Sequence, residues 1–167
     1  MIVLVGGGSR SGKSRYALDR ARRVDGPRVY IATAETFDTE MRDRASAHRA
    51  ERGGDFVTLE EPIELTAAIR AVRHEVNAIV IDCLTLWVSN LMLAGRDVFA
   101  ETAAMLEAAK NHPATVVLVS NEVGCGIVPE NELARRFRDL AGFVNQQTAA
   151  EANEVWWMAF GCPLQVK

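Results

Sequence analysis

Short, wholly apolar runs alternate with longer stretches of helical periodicity along this chain. The first run, Met1 to Val5, has no polar position, which is typical of a strand buried on both faces of a sheet. The pattern predicts strands at Ile2–Gly6, Arg28–Thr33, Phe56–Glu60, Ala78–Asp82, Thr115–Ser120 and Glu154–Phe160. It predicts helices at Ser14–Val24, Thr39–Arg52, Ile63–Arg73, Leu84–Leu93, Val98–Asn111 and Glu130–Ala152.

Strands that alternate with helices in this way favour an α/β fold. The expected architecture is a mostly parallel sheet with helices on both faces. The 167 residues suit one domain with an adequate core, and no repeat or linker divides them. We therefore expect residues 1–167 to form a single domain.

The net charge and the length of the apolar runs exclude some classes of protein. The formal net charge of −3 argues against a protein that coats nucleic acid. No apolar run reaches the ~20 residues of a transmembrane helix, and Met1 leads into a core strand rather than a signal peptide. Cys83, Cys125 and Cys162 are widely spaced in apolar surroundings, which predicts reduced core thiols. The expected location is the cytoplasm.

The segment between the first strand and the first helix fits the P-loop pattern, Gly7-x-x-x-x-Gly12-Lys13-Ser14. Gly7 and Gly12 permit backbone angles that turn amides toward phosphate, and the helix N-terminus adds unpaired N–H groups. Lys13 is expected to act on the β- and γ-phosphates, and the Ser14 hydroxyl is expected to bind Mg²⁺. The alternative is a glycine-rich turn that matches by chance. The residues predicted to bind a nucleoside triphosphate here are Gly7, Gly8, Ser9, Arg10, Ser11, Gly12, Lys13 and Ser14.

Polar residues also end two other predicted strands. Asp82 stands at the carboxyl end of an apolar strand, where α/β sheets bind ligands, and is expected to bind Mg²⁺ directly or through water. The alternative for Asp82 is an N-cap of the following helix. Thr85 is a further candidate beside Asp82. Thr33 and Glu35 are polar candidates at the end of a second strand.

A third polar group follows the strand Thr115–Ser120. Asn121 and Glu122 are succeeded by Gly124 and Gly126 before a long helix begins. Such a loop at the carboxyl edge of a sheet favours contact with substrate or phosphate. A tight turn without a ligand is the alternative.

His48 lies between Arg44 and Arg52 at helical spacing. Two guanidinium groups beside an imidazole would hold phosphate oxygens next to a nucleophile. A surface histidine on a basic helix face is the alternative, and the residues alone leave both open.

Taken together, the motifs resemble those of a known family. Across essentially its whole length, the chain resembles adenosylcobinamide kinase/adenosylcobinamide-phosphate guanylyltransferase, the bifunctional enzyme of cobalamin nucleotide-loop assembly. The stretch NEVGxGIVPEN is far more specific than the P-loop. The matching segments, in order, are GGGSRSGKS, VYIATAETFDTEMRDRASAHRAERG, VIDCLTLWVSN and VSNEVGCGIVPENELARRFRDLAGFVNQQTA.

The resemblance implies a RecA-like P-loop fold, commonly a homotrimer, with Mg²⁺ and two reactions on one corrinoid. ATP or GTP phosphorylates adenosylcobinamide, and GMP is then transferred from GTP to adenosylcobinamide phosphate through a guanylyl-histidine intermediate. A P-loop kinase of another small molecule and a non-catalytic nucleotide-binding module are the competing functions. Such a kinase would have no need of His48, and such a module would hydrolyse nucleotide slowly and transfer nothing.

The family's functional residues match positions of this sequence one by one. His48 stands at the position of the histidine nucleophile; it follows Ala47, whereas some relatives carry two adjacent histidines. Asp82 replaces the glutamate of some relatives and keeps the carboxylate. By resemblance, the further residues expected to contact GTP are Thr33, Ala34, Glu35, Arg49, Ala50, Glu51, Arg52, Glu60 and Asp82.

Overall fold

The computed structural model of the protein describes residues 1–34 and 53–167. The strands are β1 (Ile2–Gly7), β2 (Arg28–Ala32), β3 (Val57–Glu60), β4 (Ala78–Asp82), β5 (Thr115–Val119), β6 (Glu154–Ala159) and β7 (Cys162–Gln165). The helices are α1 (Lys13–Arg22), α2 (Leu65–Ala71), α3 (Leu84–Leu93), α4 (Val98–Asn111) and α5 (Glu132–Glu151). The predicted helix Thr39–Arg52 lies outside the described residues.

The described strands form one sheet in the order β3-β2-β4-β5-β1-β6-β7. All neighbouring pairs are parallel except β6 and β7, which are antiparallel. Strand β5 therefore lies between β1, which leads into the P-loop, and β4, which ends at Asp82. The predicted α/β class with a mostly parallel sheet is confirmed.

Each face of the sheet has its own core. On one face, Ile2, Leu4, Ile79 and Ile81 pack in a cluster that includes buried residues of α2, α3, α4 and α5, with Trp87 at 0% exposure. On the other face, alternate residues of the same strands pack with Ala17, Leu18 and Ala21 of α1. Burial on both faces explains why these strands are apolar throughout. Helices on both faces were predicted, and this prediction is confirmed.

The last helix and the last strand differ from the sequence prediction. Helix α5 begins at Glu132, after Pro129 rather than with it, because the Asn131 side chain caps the helix by accepting a hydrogen bond from the Ala134 amide at 3.2 Å. Strand β7 was not predicted. Its residues are all exposed, since it forms an edge of the sheet, so they lack the buried pattern that marks the inner strands.

The three cysteines are free thiols, but only Cys83 is buried. The prediction of core positions is wrong for Cys125, on the exposed loop after β5, and for Cys162, which begins the edge strand β7. Apolar neighbours in sequence did not ensure burial here, because neither residue lies on a face that another element covers.

Within residues 1–34 and 53–167, no helix combines the length and the apolar character needed to cross a membrane.

Candidate functional site

The P-loop has the backbone conformation that its two glycines permit. Gly7 has φ 144°, and a Cβ atom there would lie 2.7 Å from the Met158 carbonyl oxygen of the neighbouring strand β6. Gly12 has φ 93° and forms the N-cap of α1, where no side chain occupies the capping position. The first amides of α1 therefore face the loop without a side-chain acceptor, as an anion site requires. Strand, loop and helix together have the arrangement that the P-loop pattern predicts.

Lys13 begins α1 and is 6% exposed. Its Nζ atom donates a hydrogen bond to the Gly8 carbonyl oxygen at 2.5 Å, so the ammonium group lies within the loop. Burial lowers the pKa of Lys13 from its ordinary value, whereas negative charge at Cys83 or Asp82 would raise it. Because burial raises the pKa of the Cys83 thiol to about 12, that thiol is neutral near pH 7 and Asp82 is the opposing charge. A carboxylate thus lies near the P-loop lysine.

Asp82 does not cap the helix that follows it. The N-cap of α3 is Cys83, with no side-chain capping bond, and Asp82 Oδ2 instead accepts a hydrogen bond from the Tyr30 hydroxyl at 2.9 Å. The capping alternative is therefore wrong. Asp82 is half-buried at the carboxyl end of β4, and Tyr30 of the adjacent strand β2 orients its carboxylate.

Thr33 joins the ends of β2 and β4. Its fully buried hydroxyl donates to the Cys83 carbonyl oxygen and accepts from the Cys83 amide, both at 2.8 Å. The backbone amide of Thr33 donates to the Asp82 carbonyl oxygen at 3.1 Å. Asn90 of α3 donates to the Thr33 carbonyl oxygen at 2.9 Å. The Thr33 side chain is thus engaged in positioning the backbone next to Asp82.

The loop after β5 continues the ladder of β1 into the P-loop. Ser120 and Glu122 donate backbone hydrogen bonds to the carbonyl oxygens of Val5 and Gly7, each at 3.0 Å. The Glu122 carboxylate accepts a bond from the Gly124 amide at 2.5 Å. The residues around Glu122 therefore lie beside the P-loop.

A network of uncharged polar side chains supports this edge of the sheet. Thr85 accepts a hydrogen bond from the Asn121 amide at 2.7 Å. Ser120 donates to Asn145 Oδ1 at 2.6 Å, and Asn145 in turn donates to the Asn121 carbonyl oxygen at 3.3 Å. No sequence pattern singled out Asn145, which lies in the middle of α5, or Tyr30, which lies within β2. The role of Tyr30 follows from the strand order, and that of Asn145 follows from the packing of α5 on the sheet.

The donor set at this edge fits Mg²⁺. Ser14 offers a half-buried hydroxyl in the first turn of α1, and Asp82 offers a carboxylate. Mg²⁺ prefers such oxygen ligands and is commonly held by one or two carboxylates together with substrate phosphates. No group of three or more His, Cys, Asp or Glu side chains that could hold a metal occurs among the described residues. A site completed by phosphate oxygens is consistent with this sparse donor set.

The other predicted contacts are not all close to the P-loop. Glu60 is exposed at the end of β3, four strands from β1, which corresponds to about 19 Å at ~4.8 Å per strand. Ala34 is half-buried just beyond β2. The predicted residues that lie outside the described ranges are Glu35, Arg44, His48, Arg49, Ala50, Glu51 and Arg52.

Fold and site define a P-loop nucleotide-binding protein of the α/β class. A protein-family model described as cobinamide kinase / cobinamide phosphate guanyltransferase matches residues 3–166. The chain belongs to this family, as predicted.

The relatives span the whole chain. The bifunctional adenosylcobalamin biosynthesis protein CobP of Pseudomonas aeruginosa is 42% identical over 170 residues, which cover 100% of this chain and 98% of that protein. The proteins of Salmonella typhimurium and Escherichia coli named bifunctional adenosylcobalamin biosynthesis protein CobU are each 42% identical over 183 residues and are covered completely. Among solved structures, that of the RadB recombinase covers 93% of this chain and 73% of its own at 14% identity and a TM-score of 0.47.

Proposed function

We propose that this protein phosphorylates adenosylcobinamide with ATP or GTP and then transfers GMP from GTP to the product, giving adenosylcobinamide-GDP. The family membership supports the pair of activities, and the P-loop beside Asp82 is the observation that carries the kinase step. Both substrates are small molecules, and no nucleic acid takes part. A homotrimer located in the cytoplasm is part of the same proposal.

In the kinase step, the aminopropanol hydroxyl oxygen of adenosylcobinamide attacks the γ-phosphorus. The new O–P bond forms as the bond from the γ-phosphorus to the β,γ-bridging oxygen breaks, and the hydroxyl proton leaves to solvent. The α1 amides and Lys13 hold the phosphate oxygens, because an ammonium group and aligned N–H groups stabilise the charge that shifts to the leaving group. Little covalent chemistry is required of the protein in this step.

Ser14 and Asp82 would hold Mg²⁺, which neutralises charge on the triphosphate when bound. The Tyr30 hydroxyl orients the Asp82 carboxylate by donating a hydrogen bond to its Oδ2 atom at 2.9 Å. The Thr33 hydroxyl holds the backbone of Cys83, which follows Asp82. Glycine at position 7 leaves the space that the loop backbone needs beside Met158.

In the guanylyl step, an imidazole nitrogen of His48 attacks the α-phosphorus of GTP. An N–P bond forms, the bond to the α,β-bridging oxygen breaks, and pyrophosphate leaves. A phosphate oxygen of adenosylcobinamide phosphate then attacks the same phosphorus, and the N–P bond breaks to return the imidazole. The basis for His48 is its match to the family's nucleophile and the flanking Arg44 and Arg52 in sequence.

The test is to incubate the protein and its His48→Asn variant with Mg²⁺ and GTP labelled at the α-phosphate. We expect acid-labile label on the wild-type protein and none on the variant. Phosphorylation of adenosylcobinamide from γ-labelled ATP should persist in the variant, because that step depends on residues 7–14. His74→Asn is the matched control, since His74 is an exposed histidine on the segment after α2.

Labelling of the His48→Asn variant equal to that of the wild type would refute His48 as the nucleophile. Lys13→Ala separates the classes of function, because loss of the Lys13 charge should abolish most phosphorylation while circular dichroism shows a folded protein. Phosphorylation by Lys13→Ala near the wild-type rate would refute the P-loop assignment. A wild-type protein that binds nucleotide but transfers nothing would be a binding module instead.

A further inference from the structure

The turn between β6 and β7 contains an aromatic residue in an unfavourable backbone conformation. Ala159 pairs with Cys162, so the hairpin loop is Phe160–Gly161, with φ of 52° and 81° respectively. Two-residue hairpin loops with positive φ at both positions strongly favour Asn, Asp or Gly first. A bulky residue at positive φ is an outlier that persists when something else requires it.

Nothing in the described part of the chain covers the Phe160 side chain, which is 103% exposed. An aromatic ring left in water forgoes the burial that makes aromatic residues stabilising. The hairpin itself therefore explains neither the residue nor its exposure. Residues with strained backbone conformations cluster at active sites, ligand clamps and switch regions.

The turn lies beside the phosphate loop. A Cβ atom at Gly12, the N-cap of α1, would be 3.6 Å from the Gly161 Cα atom. Phe160 is the adjacent residue, about 3.8 Å further along the chain between Cα atoms. Strand β6, which leads into the turn, also pairs with β1 up to Gly7, opposite Met158. The Phe160–Gly161 turn thus lies next to the N-terminus of α1, where the phosphates are expected to bind.

We propose that Phe160 is a base-binding residue, on whose ring the purine of the nucleotide in the P-loop stacks. Stacking on a phenyl ring tolerates any base, because every base presents a π face. A site of this kind accepts both ATP and GTP in the kinase step. The inference rests on the proposed binding of nucleoside triphosphate by the P-loop.

The test compares GTP with inorganic tripolyphosphate, which has no base. Binding of each, in the presence of Mg²⁺, is measured by titration calorimetry on the wild type, Phe160→Asn and Phe160→Tyr. We expect Phe160→Asn to weaken GTP and ATP binding by about tenfold, to leave tripolyphosphate binding unchanged, and to keep or raise the melting temperature, since Asn-Gly suits this turn. Phe160→Tyr should bind GTP as the wild type does.

The matched control is Phe99→Ala, which removes a half-exposed aromatic ring of α4 that packs against Phe143 at 5.9 Å between centroids. It should leave the affinity for GTP unchanged. Equal GTP affinity in Phe160→Asn and the wild type would overturn the inference alone. Equal losses of GTP and tripolyphosphate binding would also overturn it, because the variant would then disturb the phosphate loop. Wild-type protein that binds neither ligand would overturn the proposed function itself.

Discussion

Replacing Thr33 with Val tests how much the Thr33 hydroxyl contributes to stability by joining the ends of the neighbouring strands β2 and β4. Val has nearly the shape of Thr but can neither donate nor accept, so both hydrogen bonds to Cys83 are lost. The Cys83 carbonyl oxygen keeps the Trp87 amide as a donor at 3.2 Å, whereas the buried Cys83 amide loses its Thr33 acceptor. An unsatisfied buried donor costs about 1–3 kcal/mol and the second bond about 1 kcal/mol. We expect the free energy of unfolding to fall by about 2–4 kcal/mol.

For a chain of this size, each kcal/mol lowers the melting temperature by about 2–4 °C, so the expected loss is about 5–15 °C. Thermal unfolding of wild type and variant, followed by circular dichroism, measures it. Thr148→Val is the matched control: this threonine of α5 is also fully buried, but its hydroxyl has no hydrogen-bond partner within the described residues. Its replacement should be neutral or stabilising. Equal melting temperatures for the two variants would refute the reasoning.

Two further predictions concern carboxylates. Asp82→Asn retains an acceptor for the Tyr30 hydroxyl, so we expect the free energy of unfolding to change by less than about 1 kcal/mol. Because the variant loses the charge expected to bind Mg²⁺, we expect kinase activity to fall by about 10²-fold. Unchanged kcat at saturating Mg²⁺ and ATP would contradict the metal role. Hydrogen bonds from Arg20, at 2.7 Å, and from Trp156 hold the pKa of Glu154 below its usual value. The contribution of Glu154 to stability is therefore present above about pH 4.5 and is lost as the pH falls through the folded-state pKa of Glu154. Urea unfolding between pH 7 and pH 3 should therefore show a steeper loss of stability in wild type than in Glu154→Gln, by about 1 kcal/mol, and parallel curves would exclude this linkage.

The sequence predicted those parts of the site that follow from neighbouring residues. The P-loop was predictable because Gly7 and Gly12 meet local backbone requirements, and because the strand before it and the helix after it are contiguous in the chain. Asp82 was predictable as a strand end for the same reason. The inner strands were predictable because burial on both faces leaves no polar position in them.

The contacts that support the site could not be predicted in this way. Tyr30 bonds to Asp82 and Thr33 bonds to Cys83 only because β2 lies next to β4, with β3 placed outside at the edge. Hydrophobic periodicity carries no information on that strand order. Asn145 reaches Ser120 across the packing of α5 on the sheet. Phe160 continued an apolar run, so the pattern extended the strand through a residue that the structure places in a turn.

The strand order also separates the two groups of residues expected to contact nucleotide. Phe160 lies on the β6 side of β1, whereas Glu60 lies four strands away on the other side. In the proposed pose, Lys13 holds the triphosphate and the base stacks on Phe160. The base would then lie on the opposite side of β1 from Glu60. If both contacts form, phosphorylation and guanylylation use different nucleotide poses along one edge of the sheet. In the proposed kinase pose, the γ-phosphate would lie toward Asp82 and the loop after β5, because β5 is the neighbour of β1 on that side.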